Sequence, residues 1–104
     1  MTEYYQVWFS AENEEQAKDI LNALTKLKLI VGGTILGGHS HFWWKGKEID
    51  MPDYCYVMGF TIIKNREAIE KEYTKVSKEE IPMTTFIKMD GNEKFLDFIY
   101  ENTK

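Results

Sequence analysis

The chain begins with a segment that is hydrophobic on both faces, and hydrophobic residues then recur at helical spacing. Tyr4–Ala11 carries rings on both faces of an extended segment without a breaker, which predicts a central β-strand. Asn13 is a good N-cap, and Gln16, three residues later, completes a variant of the capping box. The apolar residues of the predicted helix then lie three or four positions apart: Ala17, Ile20, Leu21, Leu24 and Leu27.

Two long apolar segments in the middle of the chain predict a β-hairpin that extends past the body of the domain. They cover Leu29–Trp44 and Tyr54–Lys64, and both faces of the second segment are largely apolar. Gly46 offers a tight turn between them. Glycine pairs at 32–33 and 37–38 interrupt the first segment, and such pairs mark a bulge, a bend or a close backbone approach.

The rest of the chain adds two helices and a strand. Asn65 is expected to cap a helix from Arg66 to about Ser77, Met83–Met89 alternates as a half-buried strand, and Asn92 is expected to cap a last helix. The predicted order is β-α-β-β-α-β-α, and its first six elements form the ferredoxin-like α+β pattern. We expect a four-stranded sheet with its helices on one face, so that the other face stays uncovered unless a partner covers it.

Length and charge limit the classes of protein to which the chain can belong. Its 104 residues predict a single domain, 1–104, and a net charge of −4 argues against binding to a nucleic-acid backbone. The absence of a long apolar run predicts no membrane span. One cysteine cannot form an intrachain disulfide, and the N-terminal residues do not resemble a signal peptide. We therefore expect a reduced, cytoplasmic protein.

Two glycine-containing segments resemble nucleotide or RNA motifs only superficially. Gly33–Ser40 has the spacing of a phosphate loop, but histidine replaces its lysine, and the segment leads into a strand rather than a helix. Met58–Ile63 lies where an RNA-recognition motif carries its aromatic signature, yet only Gly59-Phe60 matches. We expect neither activity, and a salt-dependent RNA shift assay would test the second.

His39-Ser40-His41 is a candidate metal site. Alternate residues on a strand point the same way, so two imidazoles could share a zinc or copper ion if a third ligand joins them. Cys55 is the natural third ligand, but its face depends on the hairpin register. With Lys45 opposite Glu48, Cys55 points away from the histidines, whereas a slip of one residue places it opposite His39. Two solvated polar residues remain the simpler interpretation.

Phe42-Trp43-Trp44 places large rings on both faces of a strand. Because a thin domain cannot bury both tryptophans alone, this cluster predicts either self-association or a ligand pocket. An alternative is a small ferredoxin-like enzyme of the cofactor-free oxygenase type. Its pocket would be lined by four residues: His39, His41, Trp43 and Tyr54.

Four short motifs occur in order along nearly the full chain. They are Ala11-Glu12-Asn13-Glu14, Trp44-Lys45-Gly46-Lys47, Glu80-Ile81-Pro82 and the segment 90–99. Together they resemble the CutA divalent-cation-tolerance family, whose corresponding motifs are T-A-P-D-E, W-x-G-K, V-P and G-N-x-x-Y-L-x-W-I. The resemblance implies a ferredoxin-like subunit in a tight homotrimer, with long hairpins that extend each sheet into its neighbours.

The resemblance also bears on metal binding. In relatives for which copper binding is proposed, two cysteines and a histidine stand at positions that hold Phe9, Val31 and Ser77 here. None of these three side chains is an imidazole or a thiol. A copper or zinc site would therefore be rebuilt from the other candidates already named, which are His39, His41 and Cys55.

The expected function is that of a non-enzymatic homotrimer that binds a divalent cation, a small ligand or a protein partner. By resemblance, Lys64 at the end of the third predicted strand and Trp44 line an intersubunit cleft. Trp43 and Tyr54 are the further candidates for this cleft or for a ligand, and one of the two tryptophans is expected to be covered by a neighbouring subunit.

Overall fold

The computed structural model describes residues 2–104, and its elements follow the predicted order. The strands are β1 (Tyr4–Ala11), β2 (Gly33–Gly37), β3 (Ser40–Trp44), β4 (Lys47–Met51), β5 (Cys55–Ile62) and β6 (Thr84–Met89). The helices are α1 (Glu14–Lys26), α2 (Arg66–Val76) and α3 (Glu93–Asn102), and a 3-10 turn at Ile63–Asn65 precedes α2. The first predicted hairpin segment, Leu29–Trp44, is divided into β2 and β3 and begins at Gly33 rather than at Leu29. The second segment, Tyr54–Lys64, corresponds to β5 alone, and β4 forms in the polar stretch between the two predicted segments.

Four strands form one antiparallel sheet in the order β2-β5-β1-β6. The central strand β1 pairs with β5 and β6, with Val7 opposite Gly59 on one side and opposite Phe86 on the other. This is the ferredoxin-like arrangement predicted for the chain, with α1 and α2 as its crossovers. Strands β2 and β6 are the edges of the sheet.

The hairpin leaves the sheet as a separate two-stranded ribbon formed by β3 and β4. Lys45 and Gly46 make the turn, with φ angles of 50° and 79°. Positive φ at both central residues suits the two-residue hairpin loops whose twist matches that of the strands. The ribbon gives the molecule an elongated shape of 45 × 24 × 20 Å.

The register of the hairpin differs from both registers considered from the sequence. Trp44 pairs with Lys47 in the ribbon, so the expected pairing of Lys45 with Glu48 is wrong. In the sheet, Gly37 pairs with Cys55. The last ribbon pair before the sheet is Ser40 with Met51, so two residues (38–39) lie opposite three (52–54) between the ribbon and the sheet. An extra residue on one strand is the mark of a bulge. The bulge shifts the register between the ribbon and the sheet by one residue.

The core lies between one face of the sheet and the helices α1 and α2. Its fully buried members include Val7 and Phe9 of β1, Ile20 of α1 and Tyr73 of α2. Phe9 and Tyr73 pack with their ring centroids 4.8 Å apart. Odd-numbered positions of β1 and β5 face this core, so the even-numbered positions face the other side of the sheet.

Helix α3 packs on that other side, which corrects the expectation that all helices share one face. Phe60 is an even-numbered position of β5, and its ring meets Phe95 of α3 edge-on with centroids 5.0 Å apart. Ile99 of α3 is fully buried. Part of the second face is therefore covered by the chain itself, and the part around Trp8 and Tyr56 lies beside the ribbon instead.

Two asparagines do not act as the sequence suggests. Asn65 is buried, and its amide donates to the carbonyl of Leu29 (3.3 Å) and to the hydroxyl of Thr61 (3.4 Å) instead of capping α2. Asn92 occupies the N-cap position of α3 without a side-chain hydrogen bond to the helix. Asn13, in contrast, caps α1 as predicted, because its side chain accepts from the Gln16 amide at 2.9 Å.

Candidate ligand-binding groove

A solvent-open groove of about 1010 Å³ lies between the ribbon and the loop that precedes β6. We call it the hairpin groove. Its aromatic and aliphatic walls come from the ribbon and from the start of β5: Phe42, Trp44, Ile49, Met51, Tyr54 and Tyr56. Its polar lining includes Ser10 near the end of β1 and Glu79 in the loop. Pockets of this kind, mostly apolar with a few fixed polar groups, are the usual form of small-ligand sites.

Strand alternation explains which side chains the ribbon turns toward the groove. Phe42 and Trp44 of β3 are half-buried, whereas His41 and Trp43 between them are exposed. Trp43 is 71% exposed and does not line the groove. The two-residue period therefore divides the aromatic cluster into groove-lining rings and one outward-facing tryptophan.

The aromatic side chains of the groove contact one another in a chain. The Phe42 and Tyr54 ring centroids are 6.0 Å apart, and those of Tyr54 and Tyr56 are 6.1 Å apart. Tyr56 in turn meets Trp8 of β1 edge-on at 6.1 Å. These spacings lie within the range of favourable aromatic pairs. The rings thus line the groove from the ribbon to the surface of the sheet.

Glu79 is held in the groove by two hydroxyl groups. Ser10 Oγ donates to Glu79 Oε1 at 2.7 Å, and the Tyr54 hydroxyl donates to Glu79 Oε2. Ser10 is itself fixed from two sides: its Oγ accepts from the Met83 amide (3.0 Å), and its carbonyl accepts from the Tyr73 hydroxyl (2.8 Å). The carboxylate therefore has a fixed position in the lining of the groove.

The two tyrosines of this network are poor acids. Burial raises the pKa of Tyr54 well above its usual value, and the hydrogen bond to Glu79 raises it further. Burial also raises the pKa of Tyr73. Both effects disfavour a phenolate next to Glu79 and keep the hydroxyls as donors. The network is therefore stable as two neutral phenols and one carboxylate.

The two histidines of the ribbon lie at the rim of the groove and contact carboxylates of β4 that do not line it. His39 Nε2 donates to Asp50 Oδ1 at 2.5 Å, and His41 Nε2 donates to Glu48 Oε2 at 3.0 Å. His41 Nδ1 also lies 3.5 Å from Asp50 Oδ1. The hydrogen bond from His39, and a further one from His41, hold the pKa of Asp50 below its usual value. The ribbon register brings these four residues together, since His41 pairs with Asp50.

Cys55 lies apart from this cluster. It is 5% exposed, belongs to the helix-facing core, and donates its thiol to the carbonyl of Asp53 at 3.4 Å. Burial raises the pKa of its thiol. Within residues 2–104, no group of three or more His, Cys, Asp or Glu side chains is arranged to hold a metal ion. The assignment of a metal to His39, His41 and Cys55 stays a prediction, without a preformed site to support it.

The remaining predicted residues lie at opposite ends of the molecule. Trp44 and Tyr54 line the groove together, as do His39 and His41 at its rim. Lys64 belongs to the 3-10 turn at the far end of β5 and does not reach the groove within one chain. The ammonium group near Trp44 comes from Lys45 instead, whose Nζ lies 5.3 Å from the indole centroid and 3.3 Å from Glu80.

Ser10 and Glu79 were not predicted as site residues. The sequence places Glu79 in an ordinary charged loop, and Ser10 in a strand of apolar neighbours. A polar residue inside an apolar strand is the only local signal, and it points to Ser10 alone. Their contact joins residues 69 positions apart, so it becomes visible only when the strands are assembled.

The three positions that align with proposed copper ligands in relatives have other roles here. Phe9 is fully buried in the core, and Val31 is half-buried with its amide donating to the Phe60 carbonyl at 3.0 Å. The Ser77 hydroxyl accepts from the Glu79 amide at 3.2 Å and so helps to shape the loop of the groove. None of the three offers an imidazole, thiol or carboxylate.

Taken together, the sheet order, the ribbon and the groove define a ferredoxin-like protein with an extended hairpin. A family profile described as CutA1 divalent ion tolerance protein matches residues 5–102. The chain therefore belongs to the CutA1 family. A comparison with curated protein sequences gives no significant match.

Solved structures of the same family share the fold closely despite low sequence identity. The divalent ion tolerance protein CutA1 from Ehrlichia chaffeensis is 19% identical, with a TM-score of 0.91 over 100% of this chain and 98% of that one. CutA1 from Oryza sativa is 20% identical, with a TM-score of 0.92 over 98% and 94%. The periplasmic divalent cation tolerance protein CutA from Archaeoglobus fulgidus is 24% identical, with a TM-score of 0.91 over 97% and 99%.

None of the helices within residues 2–104 is both long enough and apolar enough to span a membrane.

Proposed function

We propose that this protein is a non-enzymatic, homotrimeric binding module whose hairpin groove takes a small ligand. The observation that carries the proposal is the groove itself: an aromatic-walled space with a carboxylate fixed by Ser10 and Tyr54. Two of the residues predicted for a ligand site, Trp44 and Tyr54, lie in its lining.

Exposed apolar side chains and open strand edges support self-association. Trp43 on the ribbon and Ile87 on the edge strand β6 are 71% and 51% exposed. A two-stranded ribbon is marginally stable in water by itself, and sheet edges readily pair with other chains. Docking of the ribbon on a neighbouring subunit would cover Trp43 and place the groove beside the interface.

Light scattering tests the assembly. A trimer predicts a molar mass three times the 12.3 kDa of one chain, whereas a mass of 12.3 kDa at micromolar concentration would remove the proposal. Trp43→Ser is expected to shift the protein toward monomer, because buried tryptophans are frequent interface hot spots. Tyr100→Ser is the matched control, since Tyr100 is an exposed ring on α3, away from the ribbon. Dissociation by both variants to the same extent would contradict a specific role for Trp43.

A divalent cation, zinc or copper, is the second proposed ligand. The observation that favours it is the contact of His39 and His41 with the same Asp50 oxygen, because imidazole and carboxylate groups both bind these metals. A metal ion would have to replace the present hydrogen bonds to Asp50 and Glu48, since no group of three ligands in residues 2–104 is preformed.

Calorimetry with zinc chloride and copper chloride tests this ligand. His41→Ala is expected to weaken metal binding. Cys55→Ser should leave metal binding unchanged if the histidine cluster alone forms the site, and should weaken it if the site includes the thiol. The absence of any binding heat or spectral change with the unmodified protein would end the metal proposal.

The enzyme alternative has less support than a binding role. Three of its four proposed residues line the groove, but Trp43 points away from it. The imidazoles of His39 and His41 are bonded to carboxylates on the outer face of the ribbon rather than to a group inside the groove.

We also propose a cytoplasmic location, supported by the single free cysteine, and cell fractionation is its test.

A further inference from the structure

We propose that the hairpin groove binds a small organic ammonium compound with a planar apolar body, and that Glu79 is the counter-charge for its cation. This inference deepens the proposed binding function and rests on it. It names the chemical class of the ligand, which neither the family nor the fold provides.

The first argument is the unbalanced charge of Glu79. Its carboxylate is half-buried and is held by two neutral hydroxyl groups, those of Ser10 and Tyr54. Among residues 2–104, no Lys, Arg or His nitrogen forms a salt bridge with it. A partly desolvated anion without a cation partner favours the entry of one, and each carboxylate oxygen can accept a further hydrogen bond.

The surrounding charges favour the same sign of ligand. Glu12 and Glu80 also line the groove, and so does one lysine, Lys78. Lys45 at the ribbon turn is already paired with Glu80 at 3.3 Å. The histidines at the rim bond to carboxylates of β4 on the outer face, so they add no free cation to the groove. An anionic ligand would meet more carboxylates than cations here.

The aromatic walls supply the second half of the recognition. Phe42, Tyr54 and Tyr56 form a continuous series of rings with centroids about 6 Å apart, and Trp44 completes the ribbon side. Cations are attracted to the faces of such rings, and a planar apolar body can stack on them. Tyr54 takes part in both functions, because its hydroxyl orients Glu79 while its ring forms the wall.

The orientation of Glu79 is set before a ligand arrives. Ser10 is 1% exposed and is held by the Met83 amide, so its hydroxyl is a rigid donor to Oε1. The Ser77 hydroxyl accepts from the Glu79 amide and fixes the backbone of the loop. A carboxylate that is already fixed loses little conformational freedom when a ligand binds.

Three probes that share a phenol ring test the charge preference. Tyramine carries an ammonium group, 4-ethylphenol carries no charge, and 4-hydroxyphenylacetate carries a carboxylate. Calorimetry with the full chain at pH 7, where tyramine is protonated, is expected to show tyramine binding about tenfold or more tightly than 4-ethylphenol, since charge-assisted hydrogen bonds are the stronger ones. Binding of 4-hydroxyphenylacetate is expected to be the weakest of the three. Equal affinity for all three probes would overturn the proposal.

Glu79→Gln keeps the shape and one of the two acceptor oxygens but removes the charge. Tyramine affinity is expected to fall about tenfold, while 4-ethylphenol affinity stays unchanged. Glu101→Gln, on the exposed side of α3, is the matched control and should leave tyramine affinity unchanged. If Glu79→Gln fails to fold, Phe42→Leu removes part of the aromatic wall and is expected to weaken tyramine binding by itself. An unchanged affinity in the folded variant would contradict the inference.

The assembly is measured in the same samples, so that the two proposals can fail separately. A trimer that binds no tyramine would leave the binding module standing and overturn the ammonium ligand. If the cation that Glu79 requires comes from a lysine of a neighbouring copy, Glu79→Gln dissociates the trimer and tyramine does not bind. That result would also overturn the inference.

Discussion

The hydroxyl of Tyr54 donates a hydrogen bond to the carboxylate of Glu79, and this contact ties the base of the ribbon to the loop that precedes β6. The two residues are 25 positions apart and lie on either side of α2. Because Ser10 holds the other carboxylate oxygen, the ribbon, the central strand and the loop meet at one group. The shape of the groove therefore depends on this carboxylate.

Stability is expected to fall as the pH rises above about 10. Burial raises the pKa of Tyr54 and Tyr73 in the folded protein, whereas unfolded tyrosines ionise near pH 10. Above that pH the unfolded chain releases protons that the folded chain retains, so the free energy of unfolding decreases with each further pH unit. Below pH 10 the contribution of both residues is fully present. Urea denaturation at a series of pH values measures the slope.

The variant Tyr54→Phe tests how much of this pH dependence of stability comes from Tyr54. It removes one of the protons that the folded chain retains, so the decrease above pH 10 is expected to be less steep. Tyr100→Phe is the control, because Tyr100 is exposed on α3 and its loss should leave the slope unchanged. A slope that is identical in all three proteins would contradict the role assigned to the Tyr54–Glu79 contact.

Ser10→Ala is expected to destabilise the fold by about 1–3 kcal/mol, because it leaves buried polar groups without a partner. The Met83 amide loses its acceptor, and Glu79 loses one of its two donors. Chemical denaturation measures the change. Thr34→Ser, on the exposed edge strand β2, should stay within about 0.5 kcal/mol of the unmodified protein. A similar small effect for Ser10→Ala would show that water replaces its hydrogen bonds.

Gly33→Ala and Gly37→Ala form a matched pair at the two ends of β2. A Cβ at Gly33 would lie 2.3 Å from the carbonyl oxygen of Met58, whereas a Cβ at Gly37 has no heavy atom within 4 Å. Since the clash involves backbone atoms, Gly33→Ala must disturb the pairing of β2 with β5, and we expect a loss of about 1–3 kcal/mol. Gly37→Ala should change stability by less than about 0.5 kcal/mol. Equal unfolding midpoints for the two variants would contradict the close approach at Gly33.

Most of the fold follows from the sequence because α1 has a clear apolar stripe and the central strands are apolar on both faces. The stripe from Ala17 to Leu24 in α1 and the apolar strands predict their own elements and, with the chain order, the ferredoxin-like sheet. The face chosen by α3 does not follow, because Phe95 and Ile99 show which side of the helix is buried but not which side of the sheet it meets. The bulge at 52–54 cannot be predicted from the sequence either, since one extra residue leaves the composition of both strands unchanged.

The aromatic half of the groove was predictable, and its polar half was not. Trp44 at the end of β3 and Tyr54 directly before β5 are large rings that the sequence itself marks as candidates. Glu79 resembles an ordinary loop carboxylate in the sequence, and its value as a site residue comes from Ser10 and Tyr54, which reach it from distant positions. Long-range hydrogen bonds leave no periodic pattern in the sequence. The aromatic walls of such a site can therefore be predicted from the sequence, whereas its charged residue, Glu79, cannot.

The two histidines of the ribbon should differ in their effect on Asp50. The hydrogen bond from His39 is the largest cause of the lowered Asp50 pKa, and the hydrogen bond from His41 lowers it less. His39→Ala is therefore expected to raise the Asp50 pKa toward its ordinary value of 3.8, and His41→Ala should raise it by a smaller amount. Carbon-13 NMR titration of the Asp50 carboxyl group measures both, with Lys47→Ala as the control on the same strand. Because a lowered carboxyl pKa stabilises the folded chain only above the unfolded value, the contribution is lost as the pH falls below about 4. A larger shift in His41→Ala than in His39→Ala would mean that the cross-strand pair, and not the diagonal hydrogen bond from His39, holds the Asp50 carboxylate in place.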